Sequence, residues 1–235
     1  MFTGWKHLLK HLSIAIALAT NSLIVFAQKT DNQDPIYGFD PLLYNGSTYS
    51  FFPRPGTGGS QYLVNEFDSN GAITLRGVTF TGLVLNYDIF NQQLVLKYIN
   101  PTGAKSLMAI SAAWLEKFEL GGCHFETFAK ADTIKSIFQV LGNGRDKILF
   151  SFGKELLLDS FKSNSNHYFS ETRKGMFILT HGGITGFKNN HGFIAGFSTS
   201  KHDSIKKYLR KNNIKVKKAS NWQMTELINY CNTLT

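Results

Sequence analysis

The chain has 235 residues and a formal net charge of +9, with 20 Phe and nine Tyr. That length suffices for one sizeable core, burying roughly 70% of the surface of the unfolded chain, and aromatic side chains suit a pleated interior. Past the first segment no stretch is long and apolar enough to span a bilayer, which excludes a helical membrane-spanning protein.

Residues 1–27 have the order of a secretory signal: Lys6 and Lys10 in a basic start, an apolar run at Ile14–Ala19, and Val25 and Ala27 at a cleavage site before Gln28. Thr20-Asn21-Ser22 interrupts the run, which favours a cleavable signal over a retained anchor. The expectation is an exported protein, secreted or periplasmic. Residues 28–60 hold four of the five prolines, with Gly56, Gly58 and Gly59 close behind. They read as a leader in which only isolated clusters such as Tyr49–Phe52 dock on the fold.

A single β-rich domain is expected over 61–235, with a first half over 61–128. Tyr62–Phe67, Ala72–Arg76 and Val78–Phe80 are strand candidates. From Gly82 to Tyr98 apolar residues alternate with others on both sides of Asn91-Gln92-Gln93, which predicts an antiparallel hairpin. Asn100-Pro101-Thr102-Gly103 is a turn. Lys105–Ser111, Leu115–Leu120 and Cys123–Phe128 follow as strands, the last two joined by Gly121-Gly122.

The second half covers 135–197. Ser136–Leu141, Ile148–Phe152, Glu155–Leu158, Met176–Thr180, Ile184–Lys188 and Phe193–Phe197 are the expected strands. Gly142-Asn143-Gly144, His181-Gly182-Gly183 and Asn189-Asn190 are their turns, and Ser160–Ser170 a polar loop.

Residues 200–232 change period. Ile205, Tyr208 and Leu209 share one helical face, with Ser200 and Asp203 in capping-box spacing. Ser220 and Gln223 open a second helix carrying Trp222, Leu227, Ile228 and Tyr230. The predicted class is α+β, mostly β: antiparallel meanders, as an open sheet or a roll, closed by a pair of short C-terminal helices.

Charge is concentrated at this end. Eight basic residues lie beyond Ser200 against Asp203 and Glu226, while 28–200 is nearly balanced. Lys206, Lys207, Arg210, Lys211, Lys215, Lys217 and Lys218 form the candidate basic patch. An exported protein rarely meets nucleic acid, so the expected partner is an anionic glycan, a lipid headgroup or an acidic protein of the envelope.

Other chemistry finds little support. His167, His181, His191 and His202 are too widely spaced for a zinc site, and no metal or cofactor is expected. No G-x-S-x-G elbow accompanies His181-Gly182-Gly183, and Gly142-Asn143-Gly144-Arg145 lacks the spacing of a phosphate loop. An oxidising compartment permits a disulfide between Cys123 and Cys231, which would contribute roughly 4–5 kcal/mol in the chain-entropy model. Phe187, Phe193 and Phe197, with Tyr62 and Tyr98, either fill the core or line a groove.

The run Asn86-Tyr87-Asp88-Ile89-Phe90-Asn91-Gln92-Gln93-Leu94, then Leu120-Gly121-Gly122-Cys123-His124-Phe125, resembles a pattern in exported proteins of Bacteroidetes bacteria whose function is uncharacterised. Tyr208–Ala219 and Leu227–Asn232 are similar to their C-termini. The resemblance implies a cell-envelope or secreted protein and carries over no site residues. The sequence thus favours a non-enzymatic binding or scaffolding protein using the basic face. The alternatives are a small lipid or glycan carrier with an aromatic β interior, and a hydrolase of unrecognised type.

Overall fold

A computed structural model describes residues 40–130, 134–159 and 166–234, all within one compact unit. The expected export signal at 1–27, residues 28–39 of the leader, and 160–165 of the polar loop lie outside the described residues.

The β3–β4 hairpin, Val78–Asp88 and Gln93–Ile99, is where the alternation places it. Asp88 pairs with Gln93 across a four-residue loop, and the Asp88 side chain accepts the Phe90 and Asn91 amides at 3.0 and 2.9 Å. That Asx turn fixes the register. Leu83, Leu85 and Tyr87 therefore meet the first core, along with Leu94 and Leu96. The expected short strand Val78–Phe80 is the start of this same strand. Gly82, at φ +69°, sits where the pairing with β2 shifts register, a bulge that turns the strand without ending it.

Thirteen strands form among the described residues, and every strand pair is antiparallel. The others are β1 (Ser47–Thr48), β2 (Asp68–Leu75), β5 (Lys105–Ala109), β6 (Leu115–Leu120), β7 (Cys123–Lys130), β8 (Ile134–Leu141), β9 (Lys147–Gly153), β10 (Leu156–Asp159), β11 (Asn166–Phe169), β12 (Arg173–Thr180) and β13 (Gly183–Gly186). The main sheet runs β1-β5-β4-β3-β2-β6-β7-β8-β9-β12-β13, with β10 and β11 paired apart from it. From β2 the chain meanders outward through β5. It then returns to the other side of β2 and meanders through β13.

The sheet curls. The rings of Tyr87 on β3 and Phe125 on β7 lie 6.0 Å apart. Those strands are three positions apart in the sheet, about 14 Å at flat-sheet spacing. The hairpin tip also reaches β9, where the Gln92 amide donates to the Phe152 carbonyl at 2.9 Å.

Three helices follow the sheet: α1 (Asn190–Ala195), α2 (His202–Lys211) and α3 (Asn221–Thr233). They build a second core with Ile148, Phe150 and Ile178 from the sheet, to which Phe193, Ile205, Leu209, Leu227 and Ile228 contribute. The predicted fold class is the observed one: an open, mostly antiparallel sheet with short C-terminal helices.

Five local expectations change, the first in the expected polar loop, where Asn166–Phe169 is strand β11 paired antiparallel with β10. Phe193–Phe197 is not a strand. Asn189 is a helix N-cap, its side chain accepting the Gly192 amide at 2.8 Å, and Phe193, Ile194 and Phe197 follow helical spacing. The Ser200–Asp203 box does not form either. A 3₁₀ turn at Thr199–Lys201 runs straight into α2, and the Ser200 hydroxyl bonds Ser198 instead. The Ser220–Gln223 box does form, with both bonds present. Tyr62–Phe67 makes no strand, its backbone meeting β3 only at points such as Leu63 N to Tyr87 O, 2.8 Å. The leader is also less detached than expected. Of its described residues only Ser47–Thr48 is strand; Tyr49 docks as its cluster is expected to, and Leu43, outside that cluster, is buried in the fold as well.

Gly142 and Gly144 belong to the docking of α3. A Cβ on Gly142 would lie 2.5 Å from Ile228, and one on Gly144 2.3 Å from Asn232. The Asn232 amide then bonds the Asp146 backbone in both directions, at 2.9 Å each.

Candidate functional site

α2 divides its residues by period. Ile205 and Leu209 face the second core, and Asp203, Lys206 and Arg210 follow one another along an exposed shoulder that Asn213, just past the helix end, continues. α1 packs beside that shoulder. The chain after α2 returns underneath, pinned by Asn190, whose amide donates to the Ile214 carbonyl at 2.8 Å and accepts the Val216 amide at 2.9 Å. Between them lies a groove of about 700 Å³.

Apolar atoms of Ile194, Ala195, Leu209 and Ile214 form its floor, and Lys206, Arg210 and Lys215 its cationic walls. His191 and His202 complete the rim, and Asp203 is the one acidic residue in the lining. His202 is held by a 2.9 Å hydrogen bond from Nε2 to the Phe197 carbonyl. Among the described residues no aromatic ring of Phe, Tyr or Trp lines the groove.

All seven residues of the predicted basic patch are exposed, and none pairs with a carboxylate among the described residues. Lys206, Arg210 and Lys215 share the groove, while Lys207, Lys211, Lys217 and Lys218 lie outside it. His191, His202 and Asn190 do not read as parts of one site in the sequence, because the apolar residues of 193–197 suit a strand as well as a helix. The signal available was the Asp203, Lys206, Arg210, Asn213 stripe.

The disulfide that the sequence permits is not formed. Cys123 and Cys231 are both free thiols belonging to different cores. Burial raises both, Cys231 to about 12, so neither is an activated nucleophile.

A second depression, of about 450 Å³, brings together Cys123, His124, Glu126 and Lys147. It is an ion-pair cluster. The two ring nitrogens of His124 bond Glu119 at 2.5 Å and Glu126 at 3.0 Å, and the Lys147 ammonium bonds Glu126 at 2.9 Å. With both nitrogens engaged by carboxylates, His124 is not placed as a base for the Cys123 thiol. Among the described residues no group of three or more His, Cys, Asp or Glu side chains is arranged to hold a metal.

The candidate groove aromatics are core. Phe187, Phe193 and Phe197 pack on one another at centroid distances of 5.2 to 5.3 Å, and Tyr98 lies against the first core beside Tyr44. Tyr62 packs between Tyr49 and Phe67.

Compared with protein-family models, with curated proteins and with solved structures, the chain matches none.

Proposed function

We propose that the protein is an exported, non-enzymatic binding protein of the cell envelope that holds an anionic partner on its C-terminal basic face. The observation that carries this reading is the set of seven exposed cations on α2 and the turn after it, with no carboxylate partner among the described residues. Cations left without partners on a rigid helix attract anions and raise association rates. The signal-like residues 1–27 and the resemblance to exported Bacteroidetes proteins support the envelope setting.

The test is pelleting of the full chain with phosphatidylglycerol vesicles, and retention on a sulfated-polysaccharide column, across a range of salt. Retention at low salt that disappears past physiological strength is expected, because screening acts over about 8–10 Å there. Salt-insensitive retention, or none on either anionic matrix at low salt, overturns the electrostatic reading. The carrier alternative draws no support from the aromatic interior, where Tyr87, Phe118, Phe125 and Phe150 are fully buried against neighbours. What supports a small ligand is the groove outside the sheet.

A further inference from the structure

We infer that the groove between α1 and α2 is the binding site for an anionic amphiphile: a phosphate or carboxylate head on an apolar body. The inference rests on the basic-face reading and narrows it to one place and one ligand class.

Three features of the groove select this chemistry. Its volume of about 700 Å³ falls in the roughly 300–1,000 Å³ range of small-molecule sites, and a polymer would need a longer track. Lys206, Arg210 and Lys215 converge on it without carboxylate partners among the described residues, and only Asp203 opposes them. A planar guanidinium flanked by ammonium groups suits phosphate and carboxylate oxygens. The floor, chiefly the accessible carbons of Ile194 and Ala195 over the nearly buried Leu209 and Ile214, offers nothing to a small inorganic anion and an apolar surface to a hydrocarbon. A neutral sugar finds no flat aromatic ring there.

The site is also built to keep its shape. Asn190 fixes the chain at 214–216 to α1 through two bonds, and Leu209 and Ile214 are anchored in the second core from below. A preformed groove spares the ordering cost that a loop-built site would carry on binding.

The experiment is calorimetric titration of the full chain with dodecyl phosphate and with dodecanoate, each below its micelle-forming concentration. Inorganic phosphate serves as head alone, and dodecyl maltoside as a neutral amphiphile. At least one of the two anionic amphiphiles is expected to bind at least about tenfold more tightly than either control, since head and body contribute together. The double variant Lys206→Glu/Arg210→Glu should lose at least about tenfold. Lys207→Glu/Lys211→Glu makes the same charge change on the basic face but outside the groove; it should weaken vesicle retention as much as the first variant does, yet lower amphiphile affinity by no more than about threefold, the reach of screened surface charge. All four positions are exposed, and circular dichroism checks that both variants fold.

Failure of both anionic amphiphiles to bind overturns the inference, as does inorganic phosphate or the maltoside binding as tightly as they do. If both double variants weaken binding equally, the groove assignment falls while the basic-face reading stands. If vesicles and polysaccharide are also ignored at low salt, both fall.

Discussion

The two halves of the sheet bury their inner faces by different means. Strands β2–β7 curl until their own rings meet, Phe118 stacked on Phe125 at 4.6 Å with Tyr87 edge-on to both. Strands β8, β9 and β12 instead receive α1, α2 and α3. The first region turns its large rings inward and has its buried polar groups hydrogen-bonded. The second leaves the outer shoulder of its helical cover free, and there the unpaired cations and the groove are found. A sheet that closes on itself has no covering layer; a sheet with an added cover has one whose outside can carry a binding function.

The polar anchors sharpen the contrast. In the first region Asp88 is fully buried, and its carboxylate accepts four bonds: from the Tyr49 hydroxyl, the Asn91 amide side chain, and the backbone N–H groups of Phe90 and Asn91. Burial, then the bond to Asp88, raises the Tyr49 hydroxyl well above its ordinary value, so it remains a donor. In the second region the anchors are neutral amides, Asn190 and Asn232. Asp88→Ala is therefore the most damaging single change expected. It leaves four donors unmatched around a cavity and should lower stability by about 4 kcal/mol or more in urea denaturation. A loss below about 1 kcal/mol would show that the carboxylate is not what ties residues 49–62 to the hairpin.

Leu227→Ala probes the other cover. Leu227 is fully buried between α3 and the sheet, and truncation should cost about 3 kcal/mol with a cavity left behind. Hydrogen exchange separates the regions. Amides of α2 and α3 should lose protection in this variant before those of β3 and β4 do. Simultaneous loss would mean that the two cores open as one unit.

These anchors also explain which parts of the molecule the sequence discloses. The hairpin and the Ser220 capping box are local, since period-two alternation and a three-residue spacing contain all the information needed. Asp88 reads only as the polar partner of Tyr87 in that alternation, because its hydroxyl donor Tyr49 lies 39 residues earlier. α1 is six residues long. Its Phe193, Ile194 and Phe197 suit either period, and the Asn189-Asn190 pair that suggests a hairpin turn is in fact a cap and an anchor. Without α1 the groove has one wall, so the basic stripe was legible as a stripe and not as a site.

Asn190→Ala links the second cover to the groove. It removes two bonds to the chain at 214–216 and should cost about 1–2 kcal/mol. Loosening that segment should also weaken amphiphile binding about fivefold or more, because Ile214 and Lys215 are then no longer held in place. Unchanged affinity with reduced stability would show that the groove does not depend on this anchor.

The smallest expected effect concerns pH and belongs to the seam between the halves, where Glu126 on β7 meets Lys147 on β9 and His124. Burial works to raise the Glu126 carboxyl, but the Lys147 and His124 hydrogen bonds outweigh it and hold the group below its ordinary 4.5. A carboxyl lowered on folding stabilises the folded state above its unfolded value, and the contribution fades as pH falls through the folded one. The partners are partly solvated, so the effect should be about 0.5 kcal/mol or less. Denaturation midpoints of the native chain and of Glu126→Gln should therefore differ slightly near neutrality and converge below the folded value. A gap that widens as the solution is acidified would mean that the protonated carboxyl, not the ion pair, supports the seam.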